Sequence, residues 1–178
     1  MPLPQLGDPS PPFSLPGVDG TTYNLEGFAE KPVLVVIFSC NHCPYVQAYE
    51  DRLIEIQRDY GSRGVQLVAI NSNDDVHYPE DNLDCMMARA KEKGFNFPYL
   101  RDGSQQVARA YGATHTPQIF VFDQARRLRY TGKIDNNWQR LEAVTRRYLR
   151  EALEALLAQG APAEPITHAI GCTIKWAT

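Results

Sequence analysis

The sequence is poor in several features that would each have pointed to a function class. Four cysteines in 178 residues are too few for a disulfide-stapled scaffold. Positive charge is not in excess: 18 Lys and Arg stand against 21 Asp and Glu, for a net charge of -3. That balance removes the electrostatic case for a nucleic-acid partner or a polybasic membrane surface. The longest apolar run, residues 33–38, is far too short to span a bilayer. Residues 1–5 carry neither a basic region nor an apolar stretch of the signal-peptide kind, so a cytoplasmic location is expected. There is no internal repeat, heptad run or low-complexity tract. A second CxxC and an HxxxH pair are also missing, which leaves no zinc-type ligand spacing, and no metal is expected.

What is present is an ordinary globular composition, 43% apolar and 22% charged. It suits one domain over 1–178, with an extended N-terminal segment over 1–12 and a C-terminal tail over 159–178. Phe13-Ser14-Leu15 and Thr22-Tyr23-Asn24-Leu25 flank a Gly/Asp turn and predict a hairpin. The β-branched run at 32–38 predicts a strand buried on both faces. Val46, Tyr49, Leu53, Ile56 and Tyr60 recur at helical spacing up to the break at Gly61 and Gly64, and residues 65–70 form a second buried strand. This is a βαβ unit, whose strands should be parallel. Further expectations are a helix over 80–93 stopped by Gly94, an extended piece over 97–100 and a short helix over 105–111. A hairpin over 119–134 and a last helix over about 138–157 follow. The fold class is therefore α/β, a central mixed β-sheet flanked by helices.

Cys40-Asn41-His42-Cys43 falls between a buried strand and a helix start, which favours redox chemistry over buried structural thiols. A thiolate at a helix N-terminus is stabilised by free N–H groups and the helix dipole. The expectation is that Cys40, the more exposed sulfur, attacks a disulfide and that Cys43, one turn deeper, resolves the mixed intermediate. A partly protonated His42 would favour the Cys40 thiolate. The second signal is His115-Thr116-Pro117 ahead of the apolar run at 119–122: a cis Thr116–Pro117 bond would hold its loop opposite the cysteines and offer backbone to an extended substrate. Thr116, Asn41 and Pro44 are the expected substrate contacts.

Together, the strand-CxxC-Pro-Tyr-helix pattern and Thr116-Pro117 before Ile119-Phe120-Val121-Phe122-Asp123 resemble the thioredoxin superfamily. Cys40 to Tyr45, Phe97-Pro98-Tyr99-Leu100 and Gly171-Cys172-Thr173-Ile174-Lys175-Trp176 are similar to bacterial peroxiredoxin-like thioredoxin proteins of the redoxin branch. The resemblance covers nearly the whole chain. It implies a thioredoxin fold and a redox role, with Cys40 and Cys43 as the active pair and Pro117 as the cis-proline. Two departures stand out. Leu34 occupies the place of the buried Asp of thioredoxins, so the usual proton acceptor for Cys43 is missing. Cys40 occupies the place of the Thr that precedes the peroxidatic cysteine of peroxiredoxins.

The leading expectation is a thiol–disulfide oxidoreductase acting on protein or small-molecule disulfides, without a bound cofactor and recharged by an upstream thiol reductase. The alternatives are a thiol peroxidase acting on hydroperoxides and a metal carrier or redox sensor recruiting His42, His115 or Cys172. Monomer and homodimer both fit. Cys172 reads as a buried thiol of a C-terminal strand or as a third redox cysteine. Cys85 reads as a core filler, Trp138 as a helix-start residue, residues 71–75 as a plain turn, and Arg126, Arg127 and Arg129 as a solvated turn face.

Overall fold

In the computed structural model, which describes residues 4–178, the chain opens with a hairpin of β1 (Ser14–Pro16) and β2 (Thr22–Asn24). The βαβ unit follows as β3 (Val33–Ser39), α1 (Pro44–Tyr60) and β4 (Val65–Asn71). Then come α2 (Leu83–Lys93), β5 (Tyr99–Arg101), α3 (Gln106–Tyr111), β6 (His115–Thr116), β7 (Gln118–Phe122) and β8 (Leu128–Gly132). The last elements are α4 (Tyr148–Leu157) and β9 (Cys172–Thr173).

The central sheet has the order β5-β4-β3-β7-β8. β3, β4 and β5 run parallel, and β7 and β8 return antiparallel. Every residue of β3 is buried, because side chains alternate across a sheet that is covered on both faces. Val33, Val35 and Ile37 face the core built with Tyr49, Leu53 and Ile56 of α1 and Leu149 and Leu153 of α4. Leu34, Val36 and Phe38 face the core that holds Phe13, Phe28 and Tyr111. Each such aliphatic side chain contributes about 1.5–3 kcal/mol by leaving water, so β3 fixes where its carboxyl end delivers Cys40.

α1 starts on Pro44, whose missing N–H is no loss in a first turn. Gly64 turns the chain at φ +94, packed so closely on Pro32 that a Cβ would lie 2.8 Å from its ring. α2 is capped by Asn82, which accepts from the Cys85 N–H at 2.8 Å, and stops at left-handed Gly94. Of the N-terminal segment, residues 1–3 lie outside the described residues. The rest runs extended along the β7–β8 turn, with Gly7 and Ser10 donating to Leu128 and Arg126.

Four expectations change. The last helix begins at Tyr148, not near Trp138: Asn136 Oδ1 accepts from the backbone of Thr145 and Arg146, which folds residues 136–147 into a loop. Trp138 packs instead on Tyr45, ring centroids 4.3 Å apart. Cys85 lies on the exposed side of α2 and fills no core. Arg126 is not a free surface charge, since its guanidinium donates to the carbonyls of Asp123, Phe28 and Lys31.

Beyond α4 the tail turns back along the sheet. Thr131 of β8 donates to the Pro165 carbonyl and accepts from Thr167, both at 3.0 Å. β9 then pairs antiparallel with β6, His115 opposite Thr173 and Thr116 opposite Cys172. No helix among the described residues is long and apolar enough to cross a membrane.

Candidate active site

β3 ends at Ser39 and α1 begins at Pro44, so Cys40 lies in the connecting loop and Cys43 is the N-cap of the helix. This differs from the expected placement, in which the helix amides served Cys40. Both sulfurs are buried, with Cys40 2% and Cys43 0% exposed, so the expected contrast in exposure is absent. They share a small cluster with Val46, against which Tyr45 and Cys172 pack.

Their electrostatics are also the reverse of the expected order. The Cys43 thiol is pulled down to about 4, first by the Cys40 thiol donating to it and then, against the cost of burial, by the Cys172 thiol and the N–H groups of Val46 and Cys172. Cys40 is held up as the donating partner, and burial and the Asp81 charge push it the same way. Cys172 is pushed up to about 11, chiefly by burial and then by donating to Cys43. A cap position on unsatisfied helix N–H groups is where a thiolate is best stabilised, and Cys43 holds it.

The loop between the cysteines is built on Asp81, a fully buried carboxylate that no sequence pattern singled out. Its Oδ1 accepts from the Asn41 N–H at 2.8 Å and Asn71 Nδ2 at 3.1 Å, and its Oδ2 from Asn73 Nδ2 at 2.9 Å. His42 Nδ1 lies 2.8 Å from Oδ2 without hydrogen-bond alignment. The imidazole is therefore engaged with Asp81, and its ring stacks on Tyr78. Asn41, an expected substrate contact, spends its groups on the scaffold: it donates to the Glu80 carbonyl and accepts from Tyr99 and Gln47. Residues 71–74 are not a plain turn but a buried polar platform at the carboxyl end of β4. Buried Arg101 ties it together through the carbonyls of Asn71, Asn73 and Asp81. The available signal was a polar run directly after a mostly apolar strand, in a position where sites form in α/β sheets.

The Thr116–Pro117 bond is cis. Thr116 Oγ1 lies 3.5 Å from Cys40 Sγ, and protonated Cys43 donates to the Thr116 carbonyl across 3.5 Å. The backbone expected to await a substrate is already paired, because β9 lies on β6 and brings Cys172 Sγ to 2.7 Å from Cys43 Sγ. Pro44 is exposed at the helix start, while His115 borders the site with its ring on Thr114 Oγ1.

Cys40, His42 and Asp81 bring one donor atom each within 4.8 Å of one another. The chemistry of that set does not favour a metal, because both Asp81 oxygens are already occupied by amide donors that a cation would have to displace.

A family model described as Redoxin matches residues 5–149. The thiol-disulfide oxidoreductase ResA of Geobacillus thermodenitrificans is 28% identical over 121 residues, which span 67% of this chain and 64% of that protein, less than two thirds of its length. The crystal structure of a hypothetical protein, SMc02350, from Sinorhizobium meliloti 1021 is 39% identical, with a TM-score of 0.93 over 98% of this chain and 96% of the other. That of an uncharacterized conserved protein from Geobacillus kaustophilus is 40% identical, with a TM-score of 0.93 over 99% and 97%. A thiol:disulfide interchange protein of the thioredoxin family from Chlorobium tepidum TLS shares the fold, at 23% identity and a TM-score of 0.60 over 71% and 86%. The β-α-β unit, the antiparallel return of β7 and β8 and the cis-proline beside a CxxC thus form a thioredoxin fold, and the chain belongs to the redoxin family.

Proposed function

We propose that the chain is a thiol–disulfide oxidoreductase, with Cys43 as the attacking sulfur and Cys40 as the resolving one. The observation that carries this reading is the position of the Cys43 sulfur at the N-cap of α1, clustered with Cys40 and 2.7 Å from the Cys172 sulfur. The thiolate attacks a disulfide, one S–S bond breaks as the Cys43 mixed disulfide forms, and a thiolate leaves. Cys40 gives up its proton to the departing thiolate and attacks Cys43. A Cys40–Cys43 disulfide closes, and the second thiol is released. The two cysteines carry both electrons, so the step needs no bound cofactor, and an external thiol reductase of the cell restores the pair. Pro117 and Thr116 wall the pair, and His42 with Asp81 positions the loop. The 28% identical relative named as a thiol-disulfide oxidoreductase supports the reading.

The test is a titration in glutathione buffers with peptide mapping of the disulfides formed, beside the ultraviolet absorbance of the thiolate against pH. A reversible Cys40–Cys43 disulfide is expected, and Cys43→Ser should lower exchange by about a hundredfold or more. A Cys43 value near 4 lies below that of an ordinary thiol, about 8.5. The thiolate, and with it the exchange rate, should therefore persist from neutral pH downward and be lost only as pH falls through that value. A signal that grows in only above about pH 8 rejects Cys43 as the attacking sulfur.

The same depressed Cys43 thiol, followed by Pro44, favours a second reading as a thiol peroxidase. The thiolate would take the terminal oxygen of a hydroperoxide, releasing the alcohol and leaving a sulfenic acid. A neighbouring thiol would then expel water from it to form a disulfide. Hydroperoxide loss on mixing with reduced protein tests this reading, and no loss rejects it.

A further inference from the structure

An exposed strand edge beside reactive thiols is a natural receptor for an extended chain, since strand addition satisfies its free N–H and C=O groups. In this protein β6 offers such an edge directly before Pro117, and the chain fills it with its own β9. The fit is close. Gly171 lies so near the Thr116 carbonyl that a Cβ there would collide with it. The Ile174 N–H donates to the Thr114 carbonyl at 2.9 Å. Downstream, the Lys175 backbone is pegged by Asn73, Asp74 and Gln105, at 2.7 to 2.9 Å. The residue this register sets opposite Thr116 is Cys172, with its sulfur 2.7 Å from that of Cys43.

We propose that the C-terminal strand is an internal substrate: β9 fills the edge at which an incoming disulfide-bearing strand would pair, and Cys172 is a third redox thiol that resolves Cys43. This deepens the exchange reading and rests on it. After Cys43 has taken up half of a small disulfide, the Cys172 thiol attacks its sulfur and passes its proton to the leaving thiolate. A Cys43–Cys172 bond forms and the second small thiol departs. Cys40 then attacks Cys43 in turn, so that the disulfide moves to Cys40–Cys43 and Cys172 regains a proton. Once Cys43 is bonded, the hydrogen bond and charge that help hold the Cys172 proton are gone, and only burial opposes the attack. The order of sulfurs Cys40, Cys43, Cys172 leaves Cys43 as the shared partner of both others. While β9 is seated, an extended protein chain has no free edge at β6, which favours small disulfides over extended chains as partners.

The experiment uses the full chain carrying Cys40→Ser, reduced, freed of reductant and mixed with one equivalent of oxidised glutathione, then acid-quenched and mapped by mass spectrometry. The expected product is an intramolecular Cys43–Cys172 disulfide with no retained glutathione, and Cys172→Ser added to the same chain should leave glutathione on Cys43. Glutathione retained on Cys43 while Cys172 is intact overturns the internal-substrate proposal and leaves the exchange reading standing. No modification of Cys43 in either the variant or the unaltered chain overturns both. A parallel run with the unaltered chain, quenched at short times, should show the Cys43–Cys172 species before Cys40–Cys43 dominates, and its absence at every time also counts against the proposal.

Discussion

The two ends of the described chain use the same device and differ in what they touch. Residues 7–10 are laid against Arg126 and Leu128 by backbone hydrogen bonds, and Pro165 to Thr167 against Thr131 in the same way. The N-terminal segment finishes on the scaffold, where the Tyr111 hydroxyl meets the Pro11 carbonyl and Ser10 Oγ. The C-terminal one continues across the thiols and is held beyond them by Ile174 in the core and Trp176 on Arg109, 4.5 Å from the ring. Backbone pairing alone therefore does not make a terminal ribbon part of a site. A glycine that allows contact with Thr116 and a cysteine beside it do.

The change expected to disturb this comparison most is Asp81→Asn, which puts an amide where two carboxylate oxygens accept three hydrogen bonds. Loss of the charged acceptor should cost about 2–3 kcal/mol, measured by denaturant unfolding. Because Asn73 also holds Lys175, the C-terminal ribbon should loosen with it, and hydrogen exchange at the Lys175 amide should quicken. Unchanged stability would mean that Asp81 is not the keystone of the loop. Gly171→Val comes next. Its side chain drives β9 off β6, and alkylation of Cys43 in the native protein should speed up about tenfold, since each ~1.4 kcal/mol lost from closure is a factor of ten in the open population. The smallest effect sharpens the contrast from the other end: Ser10→Ala removes one buried hydroxyl contact at a cost of about 1 kcal/mol and should leave Cys43 alkylation as it was. Equal acceleration by Ser10→Ala and Gly171→Val would erase the distinction between the ends.

The elements legible in the sequence were those whose local pattern and tertiary role agree. The apolar run of β3, the stripe of α1, the stop at Gly94 and the Thr116–Pro117 turn each carry their own signal, and the two cysteines lie where the strand and helix patterns meet. The last helix was overread because Leu141 and Val144 continue the spacing of α4, while the competing acceptor on Asn136 acts across the loop and leaves no periodic trace. The start of α1 just after the cysteines was legible, but which of the two sulfurs occupies its N-cap was not, and Cys43 holds that position. Asp81 was invisible for another reason: an acid ahead of a helix is ordinary composition, and only the folded chain shows that it turns inward under the active loop. The approach of Cys172 to Cys43 depends on the path of residues 158–171, which run without helix or strand ahead of β9, and no spacing rule can trace it.

Cys43 and Cys172 stand 129 positions apart in the chain. A covalent bond between them would enclose most of the central sheet and all four helices in one loop. In the chain-entropy account, a closure of that length removes about 4–5 kcal/mol of freedom from the unfolded ensemble, a sizeable share of a typical domain's whole stability. That constraint would belong to the Cys43–Cys172 form alone: once the bond moves to Cys40–Cys43 the closed loop shrinks to the CxxC itself, and most of the long-loop restraint on the unfolded chain is released.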